Sequence, residues 1–266
     1  MEELRKRAVE LLESGTVTLV IGYEQGSGNK IRPAFAMNAA GVSRLVFDSR
    51  CTYNLAVYLT KKEIRKKGKP AIVAPVPVLR SIIQLASENQ LTDESAVILG
   101  ITPDSTLIEF GNLKEIEAYL ATCKMEAIAR DQEIMEKLNT MSPGERWTFW
   151  MKTLEPCFKC YACRAACPLC YCTRCTVDNN RPQWVPVASH PLGNLEWHIM
   201  RAMHMAGRCT GCGACFNACP VGIPLHLLSK KIHQEMNTGF GESGPSLSRT
   251  NQMATFTPDD KENFIN

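Results

Sequence analysis

Nowhere in its 266 residues does the chain carry an apolar run near the 18 side chains that a membrane-spanning helix needs. The opening stretch MEELRKRAVELLESG has the spacing of an amphipathic helix and lacks the apolar centre of an export signal. These two absences predict a cytoplasmic protein without a transmembrane segment. There is no Gly-x-Gly-x-x-Gly turn, and the glycine-rich segment 22–30 ends in lysine without the following Ser or Thr of a phosphate loop. Histidine is scarce: all five lie after position 189 and none has a paired metal spacing, so none is assigned catalysis. Cysteine is almost missing from the first 150 positions, where only Cys51 and Cys123 occur.

The other eleven of the 13 cysteines fall between 157 and 219. Eight of them form two copies of one pattern, Cys157-x2-Cys160-x2-Cys163-x3-Cys167-Pro168 and Cys209-x2-Cys212-x2-Cys215-x3-Cys219-Pro220. Three thiolates at this spacing occupy one tight loop and three corners of a cubane, and in two-cluster ferredoxins the fourth cysteine of each run serves the other cluster. The expected ligand sets are therefore Cys157, Cys160, Cys163 and Cys219 for one [4Fe-4S] cluster, and Cys209, Cys212, Cys215 and Cys167 for the other. Pro168 and Pro220, with fixed φ and no N–H, help turn the chain away behind the crossing cysteines. A zinc ribbon needs only paired Cys-x2-Cys elements and leaves the third cysteine and the Cys-Pro unexplained. Cysteines clustered at metal spacing, without an export signal, fit a reducing, low-oxygen compartment better than a disulfide framework.

Three further thiols, Cys170, Cys172 and Cys175, follow the first motif directly. Either they are ligands of an additional metal, zinc or iron–sulfur, completed by Cys51, His190, His198 or a partner chain, or they are packed reduced thiols. Cys51 precedes the N-cap candidate Asn54 by three residues, where helix-end N–H groups could favour a thiolate, but burial as a plain thiol is the better reading. Cys123 lies on an apolar stripe and reads as a core thiol. His198 and His204 read as decoration on a helix.

Charge is nearly balanced overall, yet residues 157–220 carry six Lys/Arg against two Asp/Glu. The basic side chains are scattered among ligand loops rather than arrayed on a helix or interleaved with aromatics, so nucleic acid is not the expected partner.

Along the chain, 16–24 and 31–37 read as a hairpin and 44–49 as a further strand. Asn54 caps a predicted helix through Lys67, stopped by Gly68, and the basic run Lys61, Lys62, Arg65, Lys66, Lys67 and Lys69 reads as its solvated face. A strand over 69–77, a helix over 78–89 and a strand over 96–101 complete an α/β alternation. A helical stripe runs from Leu113 to Leu138, interrupted by Asp131. Trp147, Phe149 and Trp150 follow Ser142-Pro143-Gly144. The 41 residues between Cys167 and Cys209 are an insertion with a helix starting near Asn194, carrying Leu195, Ile199, Ala202 and Met203 on one face and ending at Gly207. Pro224 opens a helix striped by Leu225, Leu228, Ile232 and Met236. The expected organisation is an α/β docking domain at 1–145, a bacterial-type two-[4Fe-4S] ferredoxin-like (α+β) domain with an insertion at 146–237, and an extended tail at 238–266, either disordered or laid along a partner.

With these residues read, the chain resembles the family of formate dehydrogenase and deazaflavin-reducing hydrogenase beta subunits, and within it the two-cluster proteins that accompany heterodisulfide-reductase-like complexes of anaerobes. The resemblance rests on IRPAF at 31–35, CTYNLAVYL at 51–59, CFKCYACRAACPLCYCTRC at 157–175, HIMRAMHMAGRCTGCGACFNACPVGIPLHLL at 198–228 and ATFTPDDKENFI near the end. Departures accompany it. Ala74-Pro75-Val76-Pro77 stands where the family has a Gly-Cys-Asp-like turn, and Gly100-Ile101-Thr102-Pro103 where it has a Pro-Cys element. The resemblance implies an electron-transfer subunit relaying single electrons between a heterodisulfide-reductase-like flavoprotein and a catalytic redox subunit of the formate dehydrogenase or methylenetetrahydrofolate reductase type. A flavin-containing reductase of a soluble carrier is the alternative, although no dinucleotide turn supports a flavin here; a metal-stabilised scaffold without redox cycling is the third reading.

Overall fold

The computed structural model describes residues 1–123, 129–178, 181–241 and 244–248. Helix α1 (Glu2–Glu13) leads into strand β1 (Leu19–Gln25), which turns back through the 26–30 loop into β2 (Ile31–Ala36). A short helix α2 (Ala39–Val42), a 3-10 turn (Leu55–Tyr58) and a short α3 (Lys62–Arg65) precede β3 (Pro70–Ala74), α4 (Val76–Ser87), β4 (Val97–Ile101) and β5 (Leu107–Glu109). The sheet order is β2-β1-β3-β4-β5. β1, β3 and β4 are parallel, while β2 and β5 pair antiparallel at the two edges. All five residues of β3 and the first six of β1 are buried, as expected of parallel strands covered on both faces. α1 lays Leu4, Ala8 and Leu11 onto this core, and each leucine so buried contributes about 1.5–3 kcal/mol.

Two expectations for this half fail for physical reasons. Residues 44–49 form no strand, only the single bridge Glu24↔Leu45 with Val46 N–H donating to Tyr23 O at 2.8 Å. β3 occupies the flank of β1 from Leu19 to Ile21, so only the short end of β1 is free to pair on that side. The helix expected from Asn54 to Lys67 is broken into two turns. Leu55, Ala56 and Val57 are buried consecutively, which one face of an α-helix cannot do, and Arg65 Nε closes the break by donating to Leu59 O at 2.9 Å. Asn54 does cap the first turn, accepting from Ala56 N, and the lysines 62, 66 and 67 are exposed.

The stripe read as running from Leu113 to Leu138 is two helices, α5 (Leu113–Thr122) and α6 (Ala129–Thr140). Cys123 is the extended residue that ends α5 and is half-buried. Asp131 belongs to the interior: it is 4% exposed and accepts from His226 Nε2 at 2.8 Å. A full capping box between Ser142 and Glu145 starts α7 (Pro143–Leu154), which delivers the chain to Cys157.

The cysteine-rich part then consists of α8 (Ala162–Ala165), α9 (Pro191–Met203), α10 (Ala214–Asn217) and α11 (Leu225–Phe240) joined by loops. Among the described residues every strand lies before Phe110, so of the α+β expectation here only the helices are present. α9 starts three residues earlier than Asn194, with His190 as its cap and Pro191 in its first turn. Its buried face is Leu195, Trp197, His198, Arg201 and Ala202, whereas Ile199 and Met203 are exposed. α9 therefore turns charged and aromatic side chains inward, opposite to the reading of His198 as decoration; His204 at its C-terminal end is exposed. In the tail, Ser246 Oγ and Leu247 N–H both bind Glu117 of α5 at 2.8 Å, so residues 244–248 lie against the chain's own α/β layer. The matching segment ATFTPDDKENFI lies outside the described residues.

Candidate metal centres

The two cysteine runs fold into the same loop twice. Two positions after the first cysteine the backbone is left-handed, at Lys159 (φ 53) and Gly211 (φ 72), and two positions further it is left-handed again, at Tyr161 (φ 59) and Gly213 (φ 70). Tyr161 and Gly213 then cap the four-residue helices α8 and α10, whose last turns bring in Cys167 and Cys219. Left-handed backbone at Lys159 and Tyr161 costs about 1–2 kcal/mol each relative to glycine. Such strain is held where a loop must aim its N–H groups and side chains at one centre. Here Lys159 N–H donates to Cys157 Sγ at 3.4 Å, and Ile223 N–H to Cys219 Sγ at 3.3 Å. In the second loop the Gly211 and Ala214 N–H groups point at the thiols of Cys209 and Cys212.

Cys157, Cys160, Cys163 and Cys219 line one cavity of about 20 Å³, closed by Trp197, His198 and Ile223. Cys167 sits apart from its own loop's cysteines in its electrostatics: it acts on Cys209, Cys212 and Cys215. The first cavity thus holds Cys219 of the second run beside three cysteines of the first.

Burial pushes most of these thiols up, Cys163 and Cys209 to about 11, and raises Cys157, Cys212 and Cys215 as well. Buried thiolates of this kind need a cation to hold them deprotonated, which bound iron supplies. Cys167 goes the other way, to about 6, chiefly because the Cys170 thiol donates to it. Four cysteines around the first cavity, backbone N–H groups aimed at sulfur and no carboxylate in its wall fit an iron–sulfur cluster, which accepts and releases single electrons.

Side chains that hydrophobic patterning missed complete both sites. His198, 3% exposed, sets Nε2 3.3 Å from Cys157 Sγ, and burial holds the ring neutral with its pKa lowered to about 3. Asn194 is fully buried and donates to Cys157 O at 2.7 Å and to Leu154 O at 3.3 Å, fixing the entry to the first loop. Arg201 donates to Cys163 O at 3.1 Å and faces Cys167, Cys170 and Cys215, so one guanidinium lies between the two thiol groups. At the second loop Asn54 donates to Ser81 Oγ at 2.8 Å and also reaches the Cys212 thiol. Ser81 and Thr210 share a 3.0 Å hydroxyl bond, and Arg80 Nε donates to Thr210 O at 3.3 Å. Arg208 grips Glu88 at the end of α4 through Nε (2.8 Å) and a terminal nitrogen (2.5 Å), and Tyr171 OH donates to the same carboxylate at 2.8 Å. α4 is therefore the plank on which the second loop is mounted.

Of the other candidates, Cys51 is half-buried beside Asp48 N–H and Val46 O, and burial raises rather than lowers its pKa. His190 is engaged in capping α9. Cys170, Cys172 and Cys175 all face a separate cavity, described below. Among the described residues no three His, Cys, Asp or Glu side chains stand at the spacing of a single metal ion, neither at these three thiols nor at the eight motif cysteines.

The comparisons agree with this chemistry. The 4Fe-4S binding domain family matches residues 203–224, which contain the whole second motif. Over 92 residues, 35% of its length, the chain is 32% identical to the F420-dependent formate dehydrogenase subunit beta of Methanocaldococcus jannaschii. The same share is 33% identical to the F420-dependent formate dehydrogenase 1 subunit beta of Methanococcus maripaludis. It is an iron–sulfur protein similar to formate dehydrogenase beta subunits. The matched region spans about a quarter of those relatives, 24% and 23% of their lengths. No helix of the described residues is long and apolar enough to cross a membrane.

Proposed function

We propose that this iron–sulfur protein is an electron-relay subunit in which two [4Fe-4S] clusters, ligated by Cys157, Cys160, Cys163 with Cys219 and by Cys209, Cys212, Cys215 with Cys167, pass single electrons between redox centres of neighbouring subunits. The observation that carries it is the doubled loop: two left-handed turns of the same kind, with Cys219 of the second lining the cavity of Cys157, Cys160 and Cys163. In this reading residues 1–145 are the docking platform, 146–237 the two-cluster unit and 238–266 a tail that binds along its surroundings. The partners, by similarity to formate dehydrogenase beta subunits, are a catalytic subunit of the formate dehydrogenase or methylenetetrahydrofolate reductase type and a heterodisulfide-reductase-like flavoprotein, in the cytoplasm of an anaerobe.

The chain's own residues set the terms of transfer. The loop N–H groups, that of Lys159 among them, donate toward sulfur, the His198 ring lies against Cys157 Sγ, Arg201 places positive charge between the two sites, and α4 holds the second loop against the sheet. Anaerobic reconstitution should load about eight irons in two clusters, and Cys167→Ser should remove the signal of the Cys209 site while sparing that of the Cys157 site. Loss of the Cys157 signal instead would overturn the crossed ligation, and a parent that fails to reduce and reoxidise would overturn the relay in favour of a structural scaffold.

A further inference from the structure

Beside the two proposed clusters lies a third cavity, of about 290 Å³, and all three surplus cysteines line it. We propose that Cys170, Cys172 and Cys175 hold a third metal centre there, an iron–sulfur cluster on three thiolates with His204 placed to complete its ligands. The proposal rests on the iron–sulfur reading of the neighbouring sites and extends it to a site that the doubled motif does not account for.

Three observations converge on it. First, the fold brings all three thiols to one cavity, walled by the apolar surfaces of Leu169, Val177 and Trp197. Second, the cavity is unusually cationic. Arg164 and Arg208 line it and each has a carboxylate, Asp178 and Glu88 respectively. Arg201 also lines it, is 7% exposed, meets no carboxylate among the described residues and has a buried Nε with no hydrogen-bond partner. The paired clusters of the proposed relay already place negative charge beside this guanidinium, and a thiolate-ligated cluster in the cavity would add sulfur acceptors for its N–H groups. Third, the ligand question has an answer in the fold. Cys51, His190 and His198 are engaged elsewhere, whereas His204, exposed at the end of α9, faces this cavity. The Cys170 thiol touches that of Cys167, which would bring the third centre into ligand contact with the second. Cys172 is exposed, so the centre would lie at the protein surface.

The test uses the full chain, reconstituted anaerobically with iron and sulfide, in two measurements. Iron and acid-labile sulfide should be about twelve per chain in the parent and about eight in the Cys170→Ser/Cys172→Ser/Cys175→Ser variant, with both signals of the paired clusters retained. Equal contents, or loss of a single zinc, overturn the third cluster. In case the triple variant does not fold, the loaded parent is alkylated with iodoacetamide and its peptides mapped. Cys170, Cys172 and Cys175 should be protected until oxidant and chelator strip the iron, and all three labelling freely in the loaded chain would overturn the proposal. The readings fail separately: free labelling of these thiols with about eight irons in place leaves the two-cluster relay standing. Protection of these thiols in a chain where the eight motif cysteines label freely removes the relay and leaves the third site.

Discussion

At the second cysteine loop the left-handed positions are glycines, Gly211 and Gly213, and the loop is bolted to α4 through Thr210 and Arg208. At the first loop the same positions are Lys159 and Tyr161, and the loop is covered by α9 while Cys160 and Phe158 face solvent. One backbone solution is thus supported in two ways. The second loop has relaxed glycines and borrows its rigidity from the α/β layer. The first loop carries conformational strain, and its side chains anchor it: Lys159 Nζ binds Pro186 O, and the Tyr161 ring lies 5.4 Å from that of Trp197. In a relay, the α4-mounted site would answer to the docking platform and the exposed first site to an external partner.

Breaking the α4 mount should have the largest effect. Glu88 and Arg208 are 13% and 21% exposed in their side chains, and Glu88→Ala leaves both the guanidinium and the Tyr171 hydroxyl without their acceptor. Removing one partner of such a buried pair costs about 3 kcal/mol. Thermal unfolding should fall accordingly, with loss of the Cys209 site on standing and retention of the Cys157 site; equal loss of both would show that the two loops are mounted as one. The pair also has a pH signature. Burial alone would raise the Glu88 carboxyl, but its bonds to Arg208 outweigh this and hold it below its ordinary value of 4.5. A lowered folded pKa stabilises the protein above the unfolded value, and that stabilisation is lost as pH falls through the folded one. Acid titration of the parent should show this loss beginning below pH 4.5, and Glu88→Gln should remove it.

The left-handed positions sharpen the comparison at a smaller scale. A Cβ at Gly213 would meet nothing within 4 Å, so the cost of Gly213→Val is conformational, about 1–2 kcal/mol. Tyr161→Gly should be nearly neutral, because about 1 kcal/mol of relieved strain offsets the lost aromatic contact, worth about 0.5–1.5 kcal/mol. Denaturation midpoints measured on both variants would settle it; equal destabilisation would mean that the loops are not equivalent in backbone.

The fold was legible where apolar periodicity and steric rules act locally. The hairpin, β3, α4 and β4 follow from alternation and buried runs, and the second motif, which the family match covers, from cysteine spacing. What patterning could not reveal was polar burial. His198, Arg201, Asn194 and Asn54 look like solvent-facing residues in any hydrophobic count, yet each is buried because a thiol or a loop carbonyl awaits it across the fold. Likewise the broken helix after Asn54 depends on Arg65 reaching Leu59 O, and Asp131, which patterning reads as an interruption of an apolar stripe, is buried against His226. Patterning also assigned Ile199 and Met203 to the buried face of α9, because the interior there is built for thiols rather than for aliphatic packing.

The finest difference between the two loops is the imidazole. The second loop has the Asn54 amide near Cys212, while the first has the neutral ring of His198 against Cys157 Sγ. Held uncharged by burial, the ring can donate one N–H to sulfur without adding a full positive charge to the site. A hydrogen bond of this kind stabilises the more electron-rich, reduced sulfur more than the oxidised one. With a net worth of about 0.5–1.5 kcal/mol, its removal should lower the midpoint of the Cys157 site by about 20–60 mV, since tenfold is about 59 mV for one electron. In redox titrations followed by EPR, His198→Ala should move the Cys157 signal downward and leave the Cys209 signal in place, and His198→Gln, which restores a donor, should recover part of the shift. A shift of both signals together would mean that the ring acts through the shared packing of α9, and no shift at all would mean that its N–H points away from the sulfur.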